Sequence, residues 1–297
     1  MIPHVFAGSL LLSAAVLVTP APARAADAAA DSGAAERTTI DYSGYQALLN
    51  EYLVVISRKN EPVDTRFDYE KLYDARGRRA RMVHILDDLF AVDPAKMDPQ
   101  TRKAWAINLY NFTVLDAVTE NLLIPNMKRT RVKSVQNVRV KGKPLFEFPV
   151  VRVEGRLYTL DQFERRFVFG DSSDVPVKLD QRAHFALVCG AVGCPPLWPR
   201  VFRPDSLDVQ LDQVTRNALK LPRHLRFDEQ NKLLEGSQIF NWYANDFGGH
   251  DNSLGWVMKY APSGILSSIK KHKITRIGSY PDWNWELNQV EHKRADS

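Results

Sequence analysis

The chain has 297 residues but only two cysteines, and it lacks several motifs that mark common enzyme classes. No Gly-rich phosphate-binding loop, no Gly-x-Ser-x-Gly turn and no His-Glu-x-x-His helix occurs in it. Nucleotide use, serine hydrolysis and zinc-protease chemistry are therefore unsupported. The cysteines, Cys189 and Cys194, are too far apart for the Cys-x-x-Cys motif of thioredoxin-like enzymes.

A strong excess of one charge is also absent. The 40 Lys and Arg residues are balanced by 35 Asp and Glu residues, which leaves a formal net charge of +5. Because the basic residues are spread along the chain, we expect no nucleic-acid partner. Hydrophobic residues make up 44% of the chain, enough to build the core of a soluble globular protein.

Long hydrophobic runs are missing except at the N-terminus. Residues 5–18 form an apolar run, and proline and a small-x-small triplet ending at Ala25 follow it. This order is typical of a secretory signal peptide, so we predict that residues 1–25 are removed. No later stretch approaches the roughly 18 apolar residues of a membrane span, and we expect no transmembrane segment in the mature chain. The sequence thus predicts an exported protein, periplasmic or secreted.

The remaining chain is expected to form one domain. Residues 26–39 are rich in Ala, Asp, Ser and Gly without apolar periodicity, which is typical of a flexible linker. No internal repeat and no second linker follows. We therefore predict a domain over residues 40–290 and a disordered tail over residues 291–297.

Apolar residues at helical spacing predict most of this domain to be helical. Asp98 and Pro99 give the clearest start, with a capping carboxylate before a proline that opens an aromatic-rich helix. Gly77 is expected to weaken the stretch in which it lies. The predicted helical stretches are 42–56, 69–89, 99–122, 160–167, 205–219, 238–247 and 262–272.

Shorter alternating patterns predict strands. Turn residues at Gly142, at Gly155 and at 228–231 separate short apolar runs, which predicts small antiparallel pairs. Residues 183–188 read as a buried strand that leads into a Gly-rich loop. The predicted fold class is α+β, a single domain with helices packed around a small, mostly antiparallel sheet.

Six local segments of this chain share their residues with one known family. They are Phe67-Asp68-Tyr69, Trp105 to Asn111, Leu160 to Glu164, Arg182 to Ala191, Cys194 to Leu197 and Tyr280 to Trp283. The most specific is Cys-Gly-Ala-x-x-Cys-Pro-Pro following His-Phe-Ala-Leu. Together they resemble the domain-of-unknown-function 547 (DUF547) family over about residues 68–288. The resemblance implies no established activity, and this chain has Arg165 where the family commonly has His.

The cysteine segment suggests a first hypothesis, a thiol-dependent hydrolase that acts as a peptidase or amidase on cell-envelope material. Such chemistry needs a thiolate, a nearby base and a group that orients the base. Cys194 is the preferred nucleophile, because Pro195 after it could open a short helix whose dipole lowers the thiol pKa. His184 is the candidate base. The candidate orienting groups are Glu164, Asn108 and Asn111.

Each of these residues also has a structural interpretation. Export favours a Cys189–Cys194 disulfide, and a permanent one would remove the nucleophile. His184 in an apolar segment fits a satisfied core residue, and the two asparagines fit a hydrogen-bond network between helix and loop. Glu164 could cap a helix or pair with Arg182.

A second hypothesis, from another class, is a non-enzymatic envelope binding module with a structural disulfide. Five of the six tryptophans lie in or near predicted loops or helix ends, and they are Trp198, Trp242, Trp256, Trp283 and Trp285. The last two alternate as on a strand and would line a groove, although large aromatic residues also fill cores. The state of the thiols discriminates the two hypotheses, so whether the chain is an enzyme stays open.

A metal site is a third alternative. His184, Cys189 and Cys194 have ligand types that suit zinc, with His224 or His250 as further candidates. Their spacing matches no familiar zinc motif, so we expect neither a metal nor another cofactor. The expected partner is an envelope substrate or protein of unknown identity.

Overall fold

The computed structural model describes residues 39–124, 130–170 and 177–292. The predicted signal peptide, nearly all of the predicted linker and most of the predicted tail lie outside these ranges. Within them, no helix has the length and apolar character needed to cross a membrane.

The described residues form nine α-helices. They are α1 Ser43–Tyr52, α2 Tyr69–Asp74, α3 Arg78–Leu89, α4 Pro99–Glu120, α5 Leu160–Phe163, α6 Leu207–Ala218, α7 Gln238–Trp242, α8 Ser253–Val257 and α9 Ser263–His272. A π-helix, Glu164–Phe169, continues α5, and one of several 3-10 helices spans Gln181–Phe185. Gly77, predicted as a weak point of one helical stretch, is the left-handed N-cap of α3, and residues 75–77 separate α2 from α3.

Eight short strands form four antiparallel pairs in the described part of the chain. The pairs are β1 Leu53–Val55 with β2 Thr65–Phe67, β3 Arg139–Val140 with β4 Lys143–Pro144, β5 Val151–Val153 with β6 Arg156–Tyr158, and β7 Leu225–Asp228 with β8 Leu233–Gly236. The α+β class and the single domain are confirmed. The strands are separate hairpins placed around the helices, so the sheet content is small and local.

Helix α4 lies at the centre of the fold. Asp98 accepts hydrogen bonds from the backbone amides of Gln100 and Thr101 at 2.9 and 3.0 Å, which confirms the predicted cap. Most α4 side chains are buried, including the fully buried Trp105, which packs edge-on against Phe163 and Phe167. A helix buried on nearly all sides fixes the position of any polar group it carries.

The C-terminal segment, residues 280–290, lies against the loop between the cysteines. Val192 and Gly193 donate backbone hydrogen bonds to Glu286 and Asn284 at 2.8 Å, and Asn288 donates to Gly190 at 2.8 Å. We call residues 189–194 the disulfide loop. These bonds join two parts of the chain that are about a hundred residues apart in sequence. The loop and the segment thus satisfy each other's backbone hydrogen-bonding groups.

Three local predictions are wrong. Residues 53–55, predicted as the end of the first helix, form strand β1, because the chain becomes extended at Leu53 and pairs with β2. Residues 183–188 do not form a strand, because residues 181–185 are a 3-10 helix packed within the core. Pro195 opens no helix, and residues 195–198 have no regular structure. The residue before a proline is disfavoured in the helical region, and this applies to Cys194 before Pro195 and to Pro195 before Pro196. Cys194 therefore has no helix dipole to lower its pKa.

Candidate functional site

Three of the predicted site residues, Glu164, His184 and Cys194, line one cleft with a volume of about 60 Å³. We call it the tryptophan cleft. Its walls are Tyr110, Glu164, His184, Leu187, Val188, Cys189, Cys194, Pro195, Ile239, Trp242, Tyr243, Trp283 and Trp285. The cleft lies where α4, the π-helix, the disulfide loop and the C-terminal segment meet.

Glu164 is held by a well-capped helix end. Thr159 and Gln162 form a capping box at the start of α5, with reciprocal bonds of 3.2 and 3.0 Å. Glu164 follows as the first residue of the π-helix, a form often found at functional sites. The Glu164 side chain is buried and faces the cleft. The neighbouring Arg165 forms a salt bridge with Asp161.

Two phenols are hydrogen-bond partners of the Glu164 carboxyl. The phenol of Tyr243 donates to its Oε1 at 3.0 Å, and Tyr110 is a second hydrogen-bond partner. Burial raises the pKa of Glu164 to about 7, and the two phenols lower it only in part. No side chain of the described residues forms a salt bridge with this carboxyl, so near neutral pH it exists as acid and carboxylate together.

His184 is paired with a residue that the sequence did not indicate. Its Nε2 lies 2.8 Å from Oδ2 of Asp246, and since an ionised carboxylate only accepts, Nε2 carries the shared proton. Phe169 stacks on the imidazole at 4.2 Å between ring centroids. Burial lowers the pKa of His184, and the bond to Asp246 opposes that shift. The lowered pKa favours the neutral form of the imidazole.

Cys189 and Cys194 form a disulfide. Cys194 is buried, with 2% of its surface exposed, whereas Cys189 is half-buried. The backbone amide of Cys189 donates a hydrogen bond to Sγ of Cys194 at 3.1 Å. Both cysteines line the tryptophan cleft, but neither is a free thiol in this state.

The two predicted asparagines bind backbone rather than the imidazole. Asn111 donates to the carbonyl of Ala186 at 2.9 Å and accepts from the amide of Val188 at 3.0 Å. Asn108 makes the same pair of bonds with Phe202, at 2.7 and 2.9 Å. Asn111 thus fixes the backbone between His184 and the disulfide loop, while Asn108 fixes a segment that does not line the cleft.

Three half-buried tryptophans form one wall of the cleft. The ring centroids of Trp242 and Trp283 are 4.9 Å apart, and those of Trp242 and Trp285 are 6.0 Å apart and nearly parallel. Trp283 lies so close to Gly193 that an added Cβ there would approach its ring to 2.8 Å. Gly193 is therefore needed for this packing.

The other predicted aromatic positions lie elsewhere. Trp256 is buried and stacks on Phe185 at 5.8 Å, so it is a core residue. Trp198 lines a larger groove of about 1040 Å³, which contains none of the predicted catalytic residues. Cavity size alone does not identify the site.

A second cavity, of about 320 Å³, shares the side chains of Trp242 and Tyr243 with the tryptophan cleft. We call it the outer cavity. Its polar lining is Arg165, Asn241, Asn245, Asp246 and His250. His184 on the cleft side and Asp246 on the outer side are hydrogen-bonded, so the two cavities are also joined by a polar contact.

Sequence reasoning missed Tyr110, Tyr243 and Asp246. Tyr110 lies in the matched segment of α4, and its position between two candidate asparagines was the one available signal. Asp246 is 62 positions from its partner, and no spacing rule connects them. The alternative pairing of Glu164 with Arg182 is wrong, because Arg182 is bonded to Asp180, Asp208 and Asp212.

The hypothesis of a zinc site finds no support in the geometry. The two sulfurs are bonded to each other and are not thiolate ligands. Across residues 39–124, 130–170 and 177–292, no group of three or more His, Cys, Asp or Glu residues is arranged to hold a metal ion. His224 is buried and lies edge-on to Phe185, and His250 lines the outer cavity.

Comparison with known proteins matches part of the chain to a family model. The model of a family described as protein of unknown function, DUF547, matches residues 94–218. That span contains Glu164, His184 and both cysteines, whereas the three tryptophans of the cleft wall and Asp246 lie beyond it. No curated protein and no solved structure matches the chain.

Proposed function

We propose that this chain, a member of the DUF547 family through residues 94–218, is an exported binding module whose tryptophan cleft and outer cavity together hold a polar, chain-like envelope ligand. The observation that carries the proposal is the Glu164 carboxyl, which is buried at the cleft beside three tryptophans, has a raised pKa and forms no salt bridge with a side chain of the described residues. Burying a carboxyl without a countercharge is unfavourable for folding, and such groups are often found where a ligand binds.

The volumes limit the shape of the ligand. Small-molecule sites usually offer about 300 Å³ or more, so the cleft of about 60 Å³ takes only a small end group. The rest of the ligand lies in the outer cavity of about 320 Å³, where amide and guanidinium groups offer hydrogen bonds. Trp242 lines both cavities and would contact both parts of the ligand.

Glu164 supplies the specificity of the inner end. With a pKa of about 7, the carboxyl accepts a hydrogen bond when ionised and donates one when protonated. A hydroxyl or amide end group of the ligand matches it in either state. The flat rings of Trp283 and Trp285 cover the apolar part of such a group.

A fluorescence titration tests this function. Soluble peptidoglycan fragments are added to the oxidised chain while tryptophan emission is recorded, and a saturable change is expected. Trp242→Ala is expected to weaken binding by about tenfold, since it loses a ring that lines both cavities. Trp198→Ala, in the separate groove, is the matched control. No saturable change, or equal weakening by the two variants, would contradict the proposal.

A thiol-dependent hydrolase is the second candidate. It is favoured by one observation, that Cys194, His184 and Glu164 line the same cleft. The disulfide opposes it, since the nucleophile exists only after reduction. In this function His184 would take the thiol proton and Asp246 would orient the imidazole.

The two functions are separated by matched cysteine variants. Cys189→Ser leaves Cys194 as a free thiol, so a hydrolase would cleave the same fragments without reductant, and mass spectrometry would detect the products. Cys194→Ser removes the nucleophile and would be inactive. If neither variant nor the reduced chain yields products while binding persists, the hydrolase is excluded and the binding module stands.

Export is part of the proposal as well. Its support is the N-terminal sequence, with an apolar run and a small-x-small triplet ending at Ala25. N-terminal sequencing of the chain recovered from the periplasm or the medium tests it, and a mature N-terminus after Ala25 is expected.

A further inference from the structure

We propose that the Cys189–Cys194 disulfide is a thiol–disulfide exchange site, in which a small thiol attacks Cys189 and releases Cys194 as the thiolate. The proposal does not depend on ligand binding or hydrolysis, so it can fail while those functions stand, or the reverse. Three independent observations support it.

The first observation is the unequal exposure of the two cysteine residues. Exchange begins when a thiolate reaches one sulfur of a disulfide, so access determines which sulfur is attacked. Cys189 is half-buried, whereas Cys194 has only 2% of its surface exposed. The cleft is open to solvent and is lined by both cysteines, and attack is therefore expected at Cys189.

The second observation is a donor placed at the leaving sulfur. The backbone amide of Cys189 donates to Sγ of Cys194 at 3.1 Å. A hydrogen bond to the charged form favours the thiolate, and a thiol of lower pKa leaves faster. His184 lines the same cleft.

The third observation is a set of backbone hydrogen bonds that hold the disulfide loop in addition to its disulfide. Val192, Gly193 and Asn288 take part in three backbone hydrogen bonds of 2.8 Å between the loop and the C-terminal segment. Inside the loop, the amide of Cys194 donates to the carbonyl of Ala191 at 3.1 Å. The loop is thus expected to keep its shape when the disulfide opens, which leaves the two sulfurs close enough to close again.

The chemistry balances with one named reactant, a low-molecular-weight thiol. Its thiolate forms a bond to Sγ of Cys189, and the Cys189–Cys194 bond breaks with the electron pair on Cys194. The Cys194 thiolate then takes a proton, or attacks Cys189 and expels the thiol again. A second thiol that attacks the mixed disulfide completes a two-electron reduction of the chain and leaves two thiols oxidised to one disulfide.

Mass spectrometry of the native chain tests the order of events. The oxidised full-length protein is incubated with L-cysteine, quenched with acid and alkylated, and the adducts are mapped. We expect cysteinylation of Cys189 with alkylation of Cys194, exceeding the opposite pattern by about tenfold. An adduct mainly on Cys194, or no adduct until denaturant is added, would overturn the proposal.

Single-cysteine variants give a second, independent readout. Cys189→Ala keeps the backbone amide at position 189, so the Cys194 thiol is expected to alkylate with an apparent pKa below the ordinary value of about 8.5. Cys194→Ala is the matched control, and its Cys189 thiol is expected to alkylate faster but with an ordinary pKa. A Cys194 pKa above the ordinary value would refute the role of the amide.

Discussion

Two polar clusters of this protein contrast in how their charges are compensated. Arg182 is bonded to Asp180 at 2.8 Å and to Asp208 and Asp212 at 2.6 Å each, beside α6. The Glu164 cluster, at the tryptophan cleft, pairs one buried carboxyl with the phenols of Tyr110 and Tyr243. The first joins opposite charges and the second does not.

The pKa values follow from this difference. Burial opposes the ionisation of Asp180, but Arg182 outweighs it and the pKa of this carboxyl is lowered. At Glu164, burial dominates and the pKa rises to about 7. A compensated cluster holds elements together, whereas an uncompensated carboxyl in a cleft is poised to interact with a ligand. The contrast separates a structural polar group from a functional one.

The largest expected effect comes from breaking the compensated cluster. Arg182→Ala leaves three aspartates without their shared cation, and we expect a loss of roughly 3 kcal/mol in the free energy of unfolding. Urea denaturation measures it. The ligand affinity of the fraction that stays folded, measured by the fluorescence titration, is expected to be unchanged. A loss of affinity would show that the two clusters are not independent.

Glu164 provides the next largest effect, as a dependence of stability on pH. The pKa of Glu164 in the folded chain, about 7, lies above the ordinary 4.5. Its contribution to the free energy of unfolding is therefore fully present below pH 4.5 and is lost as the pH rises through about 7. The loss corresponds to roughly 3 kcal/mol. Glu164→Gln keeps an acceptor for both phenols but does not titrate.

Denaturation of the wild type and of Glu164→Gln at about pH 5 and about pH 8 isolates this contribution. His184, whose pKa shift has the opposite sign, is present in both proteins and cancels in the comparison. We expect the variant to gain stability relative to the wild type at the higher pH. Parallel pH profiles would show that Glu164 is compensated in the folded chain.

The two asparagines of α4 offer a matched pair. Asn111→Ala and Asn108→Ala each leave one buried amide and one buried carbonyl unsatisfied, so each is expected to lose about 2 kcal/mol of stability. Only Asn111 holds backbone beside the cleft. Ligand affinity should therefore fall in Asn111→Ala alone, and an equal fall in both would mean that affinity follows general stability.

The smallest effect is expected at Gly193. Gly193→Ala places a Cβ against the ring of Trp283, so that ring must move, at a cost of about 1 kcal/mol. Gly255→Ala in α8 meets nothing within 4 Å and serves as the control, with a slight gain in stability. Near-ultraviolet circular dichroism should change in Gly193→Ala only. An unchanged spectrum there would show that the tryptophan wall is loosely packed.

Much of the fold was predictable because its signals are local. The Asp98 cap, the break at Gly77 and the turns at Gly142 and Gly155 all depend on residues within a few positions of one another. Residues 183–188 were not predictable, since a short apolar run that is buried on every side fits a strand or a helix equally well.

The site was predictable only in part. Glu164, His184 and Cys194 were recognised by residue type and by resemblance, and the cleft brings them together. Asp246 and Tyr243 reach the site through tertiary packing, for which the sequence carries no spacing signal. Whether a cationic side chain of the described residues reaches Glu164 depends on tertiary packing, and Arg182 was an equally reasonable partner before the geometry was known.

The most direct test of the contrast is the titration of the Glu164 carboxyl itself. Carbon-13 NMR of side-chain carboxyls in the folded, oxidised chain would follow it with pH, and Glu164→Gln would assign the resonance. A midpoint near 7 is predicted. A midpoint at the ordinary 4.5 would contradict the account, because the carboxyl would then be compensated like those around Arg182.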